Sequence, residues 1–236
     1  MANQINIHYV EIKNHKQHLD FYESLLSKEE KDKIKQLYFE RDQQCAIISR
    51  GMLRCLLSQH INTNPLHIHF RYSQHGKLFL EEKIHFNVSH SKNIIAYAIT
   101  NHNEIGIDVE YVQPREHWEQ IANYNFSEQE KFWIKKTRID DRLAAFYTCW
   151  TCKEAYIKAT GKGFRIPLNK FSINLESNKK AKSLHYVDQP NNSLNYSVYT
   201  LDILNNYKMA ICIKANPNKN LLINIDKITY PLSETV

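Results

Sequence analysis

Ile105-Gly106-Ile107-Asp108-Val109-Glu110 alternates residue types with the two-residue period of a β-strand. Asp108 and Glu110 therefore share one face with Gly106, while Ile105, Ile107 and Val109 point into a core. Two hard oxygen donors beside a residue without a side chain are what Mg²⁺ carrying a phosphate requires. Gly106 leaves room for a ligand to approach the backbone. For this strand alone, two solvated acids on a sheet edge are the plainer reading.

A second stretch shifts that balance. Trp150-Thr151-Cys152-Lys153-Glu154-Ala155-Tyr156-Ile157-Lys158 closes a segment, Leu143 to Lys158, with helical periodicity. At about 100° per residue, Leu143, Phe146, Tyr147, Trp150 and Ile157 fall within one buried stripe. Glu154 lies near the middle of that stripe, with Lys153 and Lys158 on its flanks. A carboxylate there is costly unless it is paired or bound to a cation. A surface Glu154–Lys158 pair at i, i+4, worth about 0.2–0.5 kcal/mol, explains the spacing but not the position. We read Glu154 as a third metal ligand, a general base, or both.

Upstream, Ile5 to Lys13 reads as a strand. Ser27-Lys28-Glu29-Glu30 is a capping box opening a helix toward Phe39, and a second helical stretch runs through Arg50 and Arg54 to about His60. Short strands follow around His67–Tyr72, Leu78–Leu80, Phe86–Ser89, Ile94–Thr100 and Ile105–Val109, separated by turn residues. Ile94 to Glu110 reads as a hairpin with the carboxylates on its second arm. Downstream, Ser127-Glu128-Gln129-Glu130 is another capping box, and Gly161 and Gly163 stop the helix that carries Glu154. Phe171–Leu175, Leu194–Leu204, Met209–Ala215 and Leu221–Ile225 read as strands, joined by loops such as Ser177–Lys182 and Gln189–Asn192. Both halves thus read as helices plus antiparallel strands, an α+β chain with no Pro/Gly linker and no visible internal repeat.

The 236 residues, 42% apolar and 24% charged, suit a globular chain of one large or two small domains. The N-terminus lacks the basic-then-apolar layout of a signal peptide, and no apolar run approaches the roughly 18 residues of a membrane span. A cytoplasmic protein with no membrane partner is expected. Five cysteines without framework spacing suit reduced thiols. Cys149-Trp150-Thr151-Cys152 lies inside a helix rather than ahead of one, so it is not read as a redox motif. His67 and His69 alternate with Ile68 and Phe70 and read as exposed strand histidines, not zinc ligands. The net charge of +6 suggests an anionic partner. No zinc finger, RRM-like or basic-helix signature points to nucleic acid. Much of the positive charge lies at Lys28 to Lys35 and around Lys153, Lys158, Lys162 and Arg165.

Phe86-Asn87-Val88-Ser89-His90-Ser91, then Ile105–Glu110, then the Trp150–Lys158 run closing on Gly161-Lys162-Gly163 resemble, in order and spacing, the 4′-phosphopantetheinyl transferases. The nearer likeness is to the two-domain, surfactin-synthetase-activating type, from about Ser27 to Pro167. This resemblance implies two similar α+β subdomains, residues 1–112 and 113–236, related by a pseudo-twofold with the active site in the cleft between them. It also implies a monomer that moves the phosphopantetheine arm of coenzyme A onto a serine of an apo acyl or peptidyl carrier protein. Adenosine 3′,5′-bisphosphate is left behind, and Mg²⁺, or Mn²⁺ in its place, assists.

By the same resemblance Asp108, Glu110 and Glu154 hold the metal, Glu154 takes the serine proton and Lys158 stabilises the leaving phosphate. Lys153 shapes the site's potential. His90 and Ser89 contact coenzyme A phosphate. Lys77, in His75-Gly76-Lys77, reaches the nucleotide, although Leu78 follows it where many relatives have proline. Lys33 meets the 3′-phosphate, with Lys31 and Lys35 close enough to take that part. Arg41 and Arg50 match family positions and read first as helix and interface charges. A coenzyme A- or nucleotide-binding module without transferase activity is the alternative. Retention of three acids together with Lys158 speaks against it, because binding alone needs no base.

Overall fold

The computed structural model describes residues 3–176, 181–215 and 221–232. The expected loop Ser177–Lys182 lies mostly outside them.

Strand β1 (Asn3–Glu11) leads into short helices α1 (Ile12–His15) and α2 (Leu19–Ser24), for which the sequence carried no periodic signal. Helix α3 (Lys28–Lys35) begins where the capping box predicts: Glu30 N–H bonds to Ser27 Oγ and Ser27 N–H to Glu30 Oε2. It stops at Lys35 instead of running to Phe39, which is extended and precedes α4 (Glu40–Ile61). The expected strand at His67–Tyr72 is mostly absent. Pro65 starts a 3-10 turn, Pro65–His67, closed by the Asn64 side chain, and only Arg71–Tyr72 (β2) pairs, with Leu78–Phe79 (β3). His67 and His69 are exposed, but not on a strand.

Strands β4 (His85–Ser91), β5 (Ile94–Thr100) and β6 (Ile105–Tyr111) fall where the alternation places them. The expected β5–β6 hairpin does not form. β5 already has β1 on one edge and β4 on the other, so β6 finds no free edge there and pairs elsewhere. Helices α5 (Trp118–Asn125), α6 (Glu128–Lys136) and α7 (Arg142–Thr160) follow. The capping box at Ser127–Glu130 is formed. Gly161, at φ +64°, ends α7 in a left-handed cap with its N–H on Ile157 O. Then come β7 (Phe171–Ile173), β8 (Lys182–Tyr186), β9 (Gln189–Leu201), β10 (Tyr207–Ile213) and β11 (Leu221–Ile228). Gln189–Asn192, expected as a loop, belongs to β9, and β8 was not foreseen.

Besides the β2–β3 pair, two larger sheets result, ordered β11-β1-β5-β4 and β6-β10-β9-β8-β7. Ile5, Ile7, Ala96 and Ala98 of the first meet Ile107, Val109, Met209 and Ile211 of the second in one core. The other face of the first sheet, with Tyr97 and Ile99, packs on Met52, Leu56 and Leu57 of α4. The other face of the second, with Val198, Ala210 and Cys212, packs on Phe146, Cys152 and Ala155 of α7. The layers are helix, sheet, sheet, helix, which is why β5 and most of β6 are buried on both faces. The chain crosses between the halves twice. β6 precedes residue 112 yet joins the second sheet, and β11 returns to lie parallel to β1 in the first. No helix among the described residues is long and apolar enough to cross a membrane.

Candidate active site

Helix α7 lies directly on β6, and Gly106 is the reason it can. A Cβ added there would stand 2.1 Å from Ala155 O and 2.4 Å from Ala159 N. The bare backbone of Gly106 therefore admits a helix, not a ligand as its place in the sequence suggested. Asp108 and Glu110, on the same strand face as Gly106, are thereby turned toward the side of α7 that carries Glu154 and Lys158.

The first sheet reaches this point through β4. Each edge strand presents N–H groups that its own sheet leaves unpaired. Here Ile107 N–H bonds to Asn87 Oδ1 at 2.9 Å, Val109 N–H to Ser89 Oγ at 3.3 Å and Tyr111 N–H to Ser91 Oγ at 3.1 Å. Side chains of β4 thus take the place of a strand ladder and join the two sheets beside the carboxylates.

Asp108 is 4% exposed. Its Oδ1 accepts from Ser89 Oγ at 2.9 Å and from Lys158 Nζ at 2.6 Å. Glu110 Oε2 accepts from Ser91 Oγ at 2.9 Å. Asp108 Oδ2 and Glu154 Oε1 are buried without a hydrogen-bond partner. All three carboxyls are pushed above their ordinary pKa, first by burial. For Glu110 and Glu154 the charge of Asp108 is the next cause, and Glu154 reaches about 7 although Lys158 opposes the shift. Raised acids with orphaned oxygens fit a hard divalent cation, which would satisfy those oxygens and offset the charge that Asp108 sets beside its neighbours. They are not gathered into a ready cluster: among the described residues, no three His, Cys, Asp or Glu groups stand close enough together to hold an ion. Lys158 supplies the positive charge instead.

The structure brings Ser89, Asp108 and Lys158 into direct contact. His90, near the end of β4, is an exposed residue whose ring is held below its ordinary pKa by the protein packed around it and then by the charge of Lys158. Lys77 is engaged differently: its Nζ donates to Ile105 O and Ala159 O, both at 3.0 Å, tying the start of β6 to the last turn of α7. Burial there pushes its pKa down to about 8. Lys33 lies on exposed α3 with Nζ 4.6 Å from the Tyr72 ring centre.

Lys153 turns away from the acids. It is fully buried, 2.8 Å from Glu130 Oε2, and donates to Leu168 O and Phe171 O. Arg41 is exposed beside Asp42, whereas Arg50 packs over Phe70 and pairs with Glu30. Cys149 and Cys152 are buried free thiols whose pKa burial raises, the surroundings of structural cysteines. Asn87 and Ser91 were quoted in the sequence motif without a role. Their period-two spacing with Ser89 was the signal that could have found them.

A family model for the 4′-phosphopantetheinyl transferase superfamily matches residues 104–212, and one for the N-terminal part of a 4′-phosphopantetheinyl transferase matches 12–102. The 4′-phosphopantetheinyl transferase gsp of Aneurinibacillus migulanus is 31% identical over 204 residues, spanning 86% of this chain and 83% of its own. The chain belongs to the 4′-phosphopantetheinyl transferase family. Two further relatives are 4′-phosphopantetheinyl transferases by name. HetI of Nostoc is 29% identical over 77% of this chain and 78% of its own, and Sfp of Bacillus subtilis 28% identical over 80% and 82%. This 4′-phosphopantetheinyl transferase is an enzyme that transfers the phosphopantetheine group to carrier proteins, in a family whose substrate is coenzyme A. The two family models meet between residues 102 and 104, in the turn between β5 and β6 where the chain leaves the first sheet for the second.

Proposed function

We propose that transfer is carried out at the carboxylates of β6 and α7, with Asp108, Glu110 and Glu154 drawn together as the metal-binding acids when the ion is bound. The observation that carries this reading is the pair of orphaned oxygens, Asp108 Oδ2 and Glu154 Oε1, in a site whose acids are all raised. A bound Mg²⁺, or Mn²⁺, would supply the positive charge that the pyrophosphate of coenzyme A needs.

The residues of the chain then have distinct tasks. Glu154, poised near neutrality, accepts the proton of the carrier serine as its Oγ attacks the phosphorus that bears pantetheine. The bond from that phosphorus to the bridging oxygen breaks, and adenosine 3′,5′-bisphosphate leaves. Lys158, one turn beyond Glu154, holds a positive charge beside the departing phosphate. Ser89 fixes both Asp108 and Lys158, and with His90 forms the phosphate-facing end of β4. Lys33, with Lys31 and Lys35 beside it, takes the 3′-phosphate. For Lys77 to reach the nucleotide, its ammonium must leave the two carbonyls it now bonds.

We further read residues 1–112 and 113–236 as pseudo-twofold subdomains with the site in the cleft between them, β6 and β11 being exchanged across that division. Matching local structure supports this. The capping-box glutamate of α3, Glu30, pairs with Arg54 of α4 at 2.7 Å, and that of α6, Glu130, pairs with Lys153 of α7 at 2.8 Å. A monomer in the cytoplasm, where five free thiols stay reduced, completes the reading.

Titration calorimetry of coenzyme A, with Mg²⁺ and with chelator, tests the assignment. Asp108→Ala should weaken Mg²⁺-dependent binding by about tenfold or more, at least the cost of losing a group that only orients a ligand. Unchanged affinity would move the metal elsewhere.

A further inference from the structure

Ser91 repeats, two residues along β4, the bonding of Ser89. A serine hydroxyl can accept and donate at once. Ser89 Oγ accepts from Val109 N–H and donates to the carboxylate of Asp108. Ser91 Oγ accepts from Tyr111 N–H and donates to the carboxylate of Glu110. Each serine therefore holds an acid and the amide that follows it, reaching from one sheet to the edge of the other. Both acids belong to β6, so their placement relative to β4 depends on these few side chains and on no backbone ladder between the sheets.

The two serines differ in one respect. Ser89 is also bonded by Lys158 Nζ, at 2.9 Å, and so Asp108 is held by two groups. The one hydrogen bond to the Glu110 carboxylate within the described residues comes from Ser91. Glu110 has a rotatable bond more than Asp108, and a pKa raised by burial and by Asp108. Without that hydroxyl no hydrogen bond among the described residues would set its rotamer.

We propose that Ser91 is a positioning residue for the transfer reaction, orienting Glu110 from across the joint between the two sheets as Ser89 orients Asp108. Ser91 touches no reacting atom and acts through Glu110; the inference rests on the reading of Glu110 as a functional acid. A hydroxyl that orients a ligating carboxylate changes affinity or rate by about 10–100-fold on removal. Threonine keeps the hydroxyl and suits a strand, so it should restore what alanine loses.

The test is a double-mutant cycle in carrier modification, with kcat/KM for coenzyme A measured for the full-length wild type, Ser91→Ala, Ser91→Thr, Glu110→Gln and Ser91→Ala with Glu110→Gln. The proposal expects Ser91→Ala to lose about tenfold or more, with Ser91→Thr close to wild type. In the Glu110→Gln background the alanine should cost little further, because both changes act on one group. Amide exchange should show Tyr111 N–H less protected in Ser91→Ala, with an unchanged melting temperature excluding global unfolding. A wild-type rate in Ser91→Ala overturns the proposal. So does an equal loss with and without Glu110, while the reading of Glu110 would stand if Glu110→Gln alone is slow. A wild-type rate in Glu110→Gln alone sinks that reading and the proposal with it.

Discussion

Lys158 Nζ lies 2.6 Å from Asp108 Oδ1, joining the last turns of α7 to the middle of β6. Asp108 is almost wholly buried, whereas the Lys158 side chain keeps 28% of its exposure. The lysine is thus counter-ion to a carboxylate almost cut off from solvent, while itself remaining partly exposed.

Removing that ammonium should be costly in the free enzyme. Lys158→Met leaves the Asp108 charge uncompensated. We expect a stability loss of about 1–3 kcal/mol, below the roughly 3–5 kcal/mol of a fully buried pair because Lys158 is partly hydrated. Urea denaturation measures it. Added Mg²⁺ should raise the melting temperature of this variant more than that of the wild type.

Glu154 should make stability fall as pH rises. Its folded pKa is about 7 against an ordinary 4.5. Between those values the folded chain holds a proton that the unfolded chain has lost, so stability declines with rising pH across that window. Glu154→Gln should then be about 1–2 kcal/mol more stable than wild type at pH 8, after allowance for solvent screening, with the difference vanishing near pH 4. Melting curves at the two pH values decide it, and an unchanged difference would mean that Glu154 is not the raised acid.

The Glu130–Lys153 pair is an element of architecture. Both side chains are fully buried, and Glu130 also holds Ser127 N–H and Ile173 N–H. Lys153→Met should cost about 3–5 kcal/mol. The activity of the protein that remains folded should fall far less than in Glu154→Gln, and a loss as deep as that variant's would return Lys153 to the chemistry.

Gly106→Ala should separate α7 from β6. The new methyl would overlap the backbone at Ala155 and Ala159, which cannot rotate aside. We expect at least about 3 kcal/mol of destabilisation, the upper end of overpacking, with carrier modification lost alongside. A melting temperature like that of the wild type would show the helix can shift.

The strand of Asp108 and Glu110, the helix of Glu154 and Lys158, and both capping boxes were legible because each is a local pattern: period two, period 3.6, or a serine three residues before a glutamate. What escaped is what depends on distant partners. Ile94–Glu110 reads as a hairpin because two apolar runs flank a polar turn, and nothing local says that both edges of β5 are taken by β1 and β4. Gly106 reads as an opening for a ligand because the helix that fills it lies some 50 residues ahead. Lys153 and Lys158 read alike as flanking cations, yet one meets buried Glu130 and the other Asp108. The like pairing of the two capping-box glutamates is nearly silent in the sequence, since Glu30 takes an arginine from α4 where Glu130 takes a lysine from α7.

The most direct measurement is the intact mass of an apo carrier protein after incubation with coenzyme A and either wild type or Glu154→Gln, with Mg²⁺ and with chelator. The wild type should add one phosphopantetheine arm only when Mg²⁺ is present, and Glu154→Gln should add none while still binding coenzyme A. Full modification by Glu154→Gln, or by the wild type in chelator, would contradict the assignment of transfer to a metal held by these carboxylates.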